Sequence, residues 1–248
     1  MMSRPPSPDL TEASQGSGLP THHPWIELLA LLPLILILEW SLLGPEAVAS
    51  RILAHAHLDQ ILGFFGLSPV VTLHATGLIV VLVLLIWHLL TGDAWKVQPM
   101  AIGRRWIEGL IAAAPLLAAA AFRGSIEQSP LATPLQTPST LSDALAISIG
   151  AGLSEELLFR MIGIALMHWV LVDLCGLRQH IGTLLAVIGS AIAFTLYHDP
   201  SVLSPAGTFF VAAAGLYLGT LYVLRGFAVV VIAHTIYDAV IFAGPLIN

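Results

Sequence analysis

Long, nearly uninterrupted apolar runs are what most limits the folds open to this chain. Val70 to Leu90 contains only His74 and His88 as titratable groups. A helix rising 1.5 Å per residue needs about 20 apolar residues to cross a hydrocarbon core about 30 Å thick. Within lipid the backbone must satisfy its own hydrogen bonds, and a segment of this kind does so as a helix. Comparable runs are Trp25–Leu43, Trp106–Phe122, Leu141–Asp173, Ile181–Tyr197, Ala206–Leu224 and Phe227–Leu246. The predicted fold is therefore all-α, a polytopic membrane helical bundle of seven or eight transmembrane helices.

Composition excludes other classes. Only 10% of the 248 residues are charged, against about 25% in a soluble domain that must be solvated over its whole surface. Nine Lys and Arg against fifteen Asp and Glu offer no basic surface, so nucleic acid is not a partner. The single Cys175 rules out an internal disulfide and a multi-cysteine metal site. The partners implied are the lipid bilayer and whatever is presented within it.

Residues 1–24 hold five prolines and no apolar period, and read as a disordered tail. Ala47-Val48-Ala49 imitates a signal-peptidase site, but the long Pro-rich leader and the long apolar run argue against cleavage. Ala49 to Ser68 mixes charges and His with Ile, Leu and Phe, as an amphipathic helix at the interface does. Membrane helices fill residues 25–140, and Arg123 to Ser139 forms a polar loop. Lys96, Arg104 and Arg105 put their connection in the cytoplasm and give an N-in start. Leu141 to Asp173 is too long for one crossing, which predicts a break near Gly150 or Gly152. Gly215 and Gly219 form a G-x-x-x-G pair that admits a neighbouring helix.

An Asp, Lys or Arg at the centre of a span costs about 2.5–3.5 kcal/mol on insertion scales. Three places in the C-terminal half accept such groups: Glu155-Glu156 with Arg160, His198 at the end of the Phe194-to-His198 segment, and His234 with Asp238. Glu156 and Arg160 are i and i+4, share a helix face and can pair. That pair reads equally as a structural ion pair and as support for a site. Glu155 points about 100° away and lacks that partner. His234 and Asp238 are also i and i+4, so the carboxylate can fix the imidazole tautomer or favour its charged form. With a helix starting near Gly152 and another ending before Pro200, Glu155 and His198 reach similar depth, and His234 joins them from the last helix. His74, His88 and His168 read as packing residues, Phe194 as packing for His198, and Glu27 and Glu39 as span-end carboxylates reaching headgroups and water.

These three segments resemble the ordered motifs E-E-x-x-x-R, F-x-x-x-H and H-x-x-x-N of the CPBP family of intramembrane proteases, the group that includes CAAX prenyl endopeptidases. The likeness covers Leu141 to Phe242 and implies a catalytic membrane core over 141–248. It implies peptide-bond hydrolysis of a membrane-associated protein or peptide. By position, Glu155 is the general base and His198 helps hold and activate water. His234 and Asp238 face the oxyanion, while Glu156 and Arg160 orient Glu155. Asp238 departs from the family's Asn; an ionised Asp cannot donate, so Asp238 is read as supporting a protonated His234. Two Glu and two His also suit zinc. No H-E-x-x-H motif is present, and the glutamic-type mechanism needs no cofactor. If metal were used, Glu155, His198 and His234 would hold it. Two other readings stand beside the protease: a non-proteolytic membrane regulatory or binding partner on the same scaffold, and a proton-coupled transporter, for which no internal repeat is visible. Eight of the nine basic residues are Arg, a compositional hint of a GC-rich bacterial genome and hence of a bacterial inner membrane.

Overall fold

A computed structural model describes residues 23–43, 63–64, 66, 74–126 and 138–247. The expected tail and most of the expected interfacial helix, Ala49 to Ser68, lie outside the described residues. Among the described residues seven apolar helices follow one another: α1 (Pro24–Leu42), α2 (Ala75–Thr91), α3 (Pro99–Ile126), α4 (Leu141–Leu174), α5 (Gln179–Tyr197), α6 (Pro205–Arg225) and α7 (Phe227–Ile247). Six are long and apolar enough to cross a membrane, and α2 is a shorter apolar helix. The chain is an integral, multi-pass membrane protein with an all-helical bundle fold.

Local sequence sets the helix ends. Pro24 and Pro205 stand in the first turns of α1 and α6, where a missing N–H removes no intrahelical bond. Ser204 caps α6 by accepting from the Gly207 N–H at 2.9 Å. Gly92 closes α2 in the left-handed region, φ +67°. After α5, Asp199 also takes a left-handed φ of +47°, a conformation that Asp tolerates better than bulkier residues. Pro200 then prevents the helix from continuing. The Ser201 N–H and hydroxyl both donate to the Asp199 carboxylate, holding its pKa below the usual range.

The break expected near Gly150 or Gly152 does not occur. The chain stays helical from Leu141 to Leu174 and relieves its length by changing register. It is α-helical to Glu155, π-helical over Glu156–Ile164, α-helical over Ala165–His168 and π-helical again over Trp169–Leu174. Glycine alone does not end a helix that is packed on several sides. Gly152 instead serves close approach: a Cβ there would lie 2.3 Å from Thr235 Oγ1 and 3.3 Å from the Val231 carbonyl of α7. The G-x-x-x-G pair works likewise, for a Cβ on Gly215 would stand 3.2 Å from Ala191 Cα and one on Gly219 3.1 Å from Val187.

One hydrophobic core joins residues of all seven helices, including Leu31, Val80, Leu116, Ile147, Phe194, Phe210 and Ile232. Its α7 face, Phe227 to Ala233, is buried without interruption. Glu27 does not reach headgroups: it is fully buried. Its Oε2 accepts the Ala228 N–H at 2.6 Å, and its Oε1 meets Arg105 Nη2 at 2.8 Å. Arg105 Nη1 donates to the Arg225 carbonyl at 2.9 Å. This buried pair satisfies free backbone groups on both sides of the α6–α7 turn. It also fixes the starts of α1, α3 and α7 and the end of α6 at one end of the bundle. Glu39, by contrast, pairs with His74 and stays partly exposed.

Candidate active site

The polar residues of α4, α5 and α7 meet in one place. Glu155 is the last α-helical residue before the π segment, and Glu156 the first within it. A π turn carries an extra residue and re-aims the side chains that follow. Glu155 thereby faces α5 and α7, while Glu156 turns into the bundle. The widened turn is tied down by Ser190 of α5, whose hydroxyl donates to the Phe159 carbonyl at 2.8 Å.

Glu156 is the hub of a buried ion network. Its Oε1 accepts from Arg160 Nη1 at 3.0 Å and from His234 Nδ1 at 2.7 Å. Arg160 is fully buried; its Nη2 donates to the Gly215 carbonyl at 3.4 Å, and its guanidinium sits 4.2 Å above the Phe194 ring. Two charges removed from water need pairing and hydrogen bonds; Glu156 Oε1 and the Arg160 Nη atoms have them, while Glu156 Oε2 and Arg160 Nε have no hydrogen-bond partner among the described residues. Gly215 earns its place in α6 twice, by admitting α5 and by exposing a carbonyl to Arg160.

Glu155 is arranged otherwise. It is 2% exposed, and its Oε2 has no hydrogen-bond partner among the described residues. That oxygen stands 3.7 Å from His198 Nε2 and 3.9 Å from His234 Nε2. His198 Nδ1 donates to the Phe194 carbonyl at 2.9 Å. This bond fixes the tautomer and leaves Nε2 with its lone pair toward Glu155. Phe194 also packs on the His198 ring, 4.5 Å between centroids. His234 has carboxylates on both sides, with Glu156 on Nδ1 and Asp238 Oδ2 3.4 Å from Nε2.

Glu155, His198, His234 and Asp238 all line one cavity of about 70 Å³, several times the roughly 10–15 Å³ that one water needs. The remaining wall is apolar or aromatic: Leu116, Phe210, Val211, Leu218, Ile241 and Phe242 are among it. Sequence reading did not anticipate Leu116, Phe210 or Tyr237, because an apolar or aromatic residue in a span gives no sign of facing a cavity. Among the described residues no group of three His, Cys, Asp or Glu side chains stands out as able to hold a metal ion.

Residues 137–240 match the family model described as type II CAAX prenyl endopeptidase Rce1-like. No curated protein and no solved structure matches the chain. The matched segment contains α4 to most of α7, and with them every polar residue of the cavity. Over residues 137–240 the chain is thus similar to the Rce1-like type II CAAX prenyl endopeptidases.

Proposed function

We propose that this protein is a glutamic-type intramembrane endopeptidase in which Glu155 and His198 activate water without a metal ion. The observation that carries the reading is the buried Glu155 Oε2, unpartnered and 3.7 Å from the free lone pair of His198 Nε2. Two acceptors at that spacing suit one water, which donates a hydrogen to each and presents its own lone pair to a carbonyl carbon.

Attack forms the C–O bond as Glu155 takes the water proton. The carbonyl oxygen becomes an oxyanion on the side of His234. With Glu156 accepting from Nδ1 and Asp238 flanking Nε2, the ring is held as an imidazolium whose Nε2–H serves as donor. Such a donor is worth about 2.7–4 kcal/mol of barrier. Collapse breaks the C–N bond, and Glu155 returns its proton to the departing amine. Glu156 and Arg160 position Glu155 and His234 without touching the substrate. A bacterial inner-membrane location is part of this proposal.

Co-expressing membrane-anchored peptides with wild type and with Glu155→Gln, and mapping new termini by mass spectrometry, tests the reading. Cleavage by wild type alone supports it. A cellular phenotype that persists in both Glu155→Gln and His198→Ala would favour a non-proteolytic binding role.

A further inference from the structure

We propose that a second cavity, beside the α2–α3 connection, is a binding site for phosphate, carried on a lipid headgroup or free in solution.

This cavity, of about 210 Å³, lies where the start of α1, the end of α2 and the start of α3 meet. His23, Trp25, His88, Asp93, Lys96 and Gln98 line it. It shares no residue with the catalytic cavity and stands outside residues 137–240. Its volume is many times the roughly 10–15 Å³ that one water needs.

His88 is the residue that asks for an occupant. It sits in the last turn of α2 and is 1% exposed. An imidazole always carries at least one N–H donor. Neither ring nitrogen of His88 has a hydrogen-bond partner among the described residues. The ring is held by aromatic contacts instead: Trp95 stands edge-on at 4.1 Å and Trp25 stacks at 6.0 Å between centroids. The Trp25 Nε1–H is buried and unpartnered as well. Buried polar groups ordinarily find partners. Two such groups from different helices, on the wall of one cavity, call for a ligand that accepts hydrogen bonds.

The remaining wall decides the ligand's chemistry. Lys96, the only lysine of the chain, is exposed and brings an ammonium group with three donors. The Gln98 amide adds two more. Gln98 also directly precedes α3, whose first N–H groups have no intrahelical acceptor and form the positive end of a 28-residue helix. Against these donors stands one carboxylate, Asp93, whose Oδ2 already faces His23 Nδ1 at 3.4 Å. Donors in excess, one cation and a helix start suit a compact oxyanion with several acceptor oxygens, as phosphate is. Helix ends flanked by Trp and Lys lie at the depth of lipid headgroups. A ligand held here would tie α1, α2 and α3 together, so binding stabilises the folded chain.

That stabilisation supplies the test. The purified full chain, in a phosphate-free non-ionic detergent, is melted with increasing inorganic phosphate, with phosphatidylglycerol, or with diacylglycerol of the same chains. Sodium chloride at matched ionic strength is the further control. The expected result is a saturable rise in Tm with phosphate or phosphatidylglycerol and none with diacylglycerol or chloride. A rise with phosphatidylglycerol alone supports a headgroup as the source, one with inorganic phosphate alone the free anion, and one with both a site open to either. Trp25→Phe and Lys96→Gln each remove one donor to a charged group and should raise the half-saturating amount about tenfold or more. His88→Phe keeps the ring contacts and should abolish the rise, with a ligand-free Tm at or above that of wild type. No rise with either phosphate probe, an equal rise with diacylglycerol or chloride, or unchanged half-saturation in Lys96→Gln, whose exposed side chain the fold does not need, overturns the proposal.

Discussion

His198 Nε2 stands 3.7 Å from Glu155 Oε2, across the consecutive helices α4 and α5. One group is fixed by a backbone carbonyl on its other nitrogen; the other is buried without a hydrogen bond on the facing oxygen. A buried carboxylate oxygen without a partner carries a desolvation penalty of about 1–3 kcal/mol or more. The adjacent Glu156 is paired twice over. Glu156 Oε2 is likewise without a hydrogen bond, so what sets Glu155 apart is its place on the cavity wall beside His198, which supports the proposal that Glu155 reacts and Glu156 positions.

Glu155→Gln keeps side-chain size and removes the base. The expected loss in kcat is about 10²- to 10⁴-fold, with thermal stability equal to or above that of wild type because a desolvated carboxylate is gone. Kinetics on purified protein, with a melting curve on the same sample, check both halves.

Arg160→Met leaves Glu156 buried and facing only His234. Breaking one partner of a buried pair costs about 3–5 kcal/mol. The double variant Glu156→Gln/Arg160→Met should lose less than the two single changes together. Denaturant unfolding in detergent micelles of all four proteins measures that coupling.

Glu27→Ala strips a carboxylate from Arg105 and an acceptor from the Ala228 N–H at the start of α7. The protein should lose about 3–5 kcal/mol of stability, while kcat per folded molecule stays at the wild-type value. Unfolding and active-site-normalised kinetics separate the two.

Gly152→Ala places a methyl against Thr235 and the Val231 carbonyl, so α4 and α7 must move apart. Glu155 follows Gly152 by three residues and His234 adjoins Thr235, so the shift falls on their 3.9 Å separation. A misplacement of about 1 Å can remove about 10²-fold in rate. Gly244→Ala, with open space around the added carbon, is the control and should leave kcat unchanged.

Asp238→Asn preserves shape and removes the charge beside His234 Nε2. If Asp238 sustains the imidazolium, kcat falls and the pH profile of kcat/KM changes. Full activity with an unchanged profile would dismiss that role.

Much of this architecture was legible in the chain because lipid imposes few choices. Apolar runs gave the helices, and polar groups within them stood out as groups requiring a reason. The i, i+4 spacing of Glu156 and Arg160 predicted a bond found at 3.0 Å. The course of α4 was not legible. Periodicity does not distinguish an α turn from a π turn, and Gly152 reads as a breaker until its neighbour Thr235 is known. Glu27 was misjudged for a related reason: position near a span end says nothing about which helices cover it, and α3 and α7 both do. The apolar cavity wall was equally silent, since Leu116 and Phe210 differ from lipid-facing residues only in their neighbours.

The most direct test is single-turnover cleavage of a membrane-anchored peptide by purified protein, stripped of metal with a strong chelator and compared with chelated Glu155→Gln. The account predicts undiminished cleavage by chelated wild type and loss of about 10²-fold or more in the variant. Activity that vanishes on chelation and returns with zinc, or that survives Glu155→Gln, would contradict it.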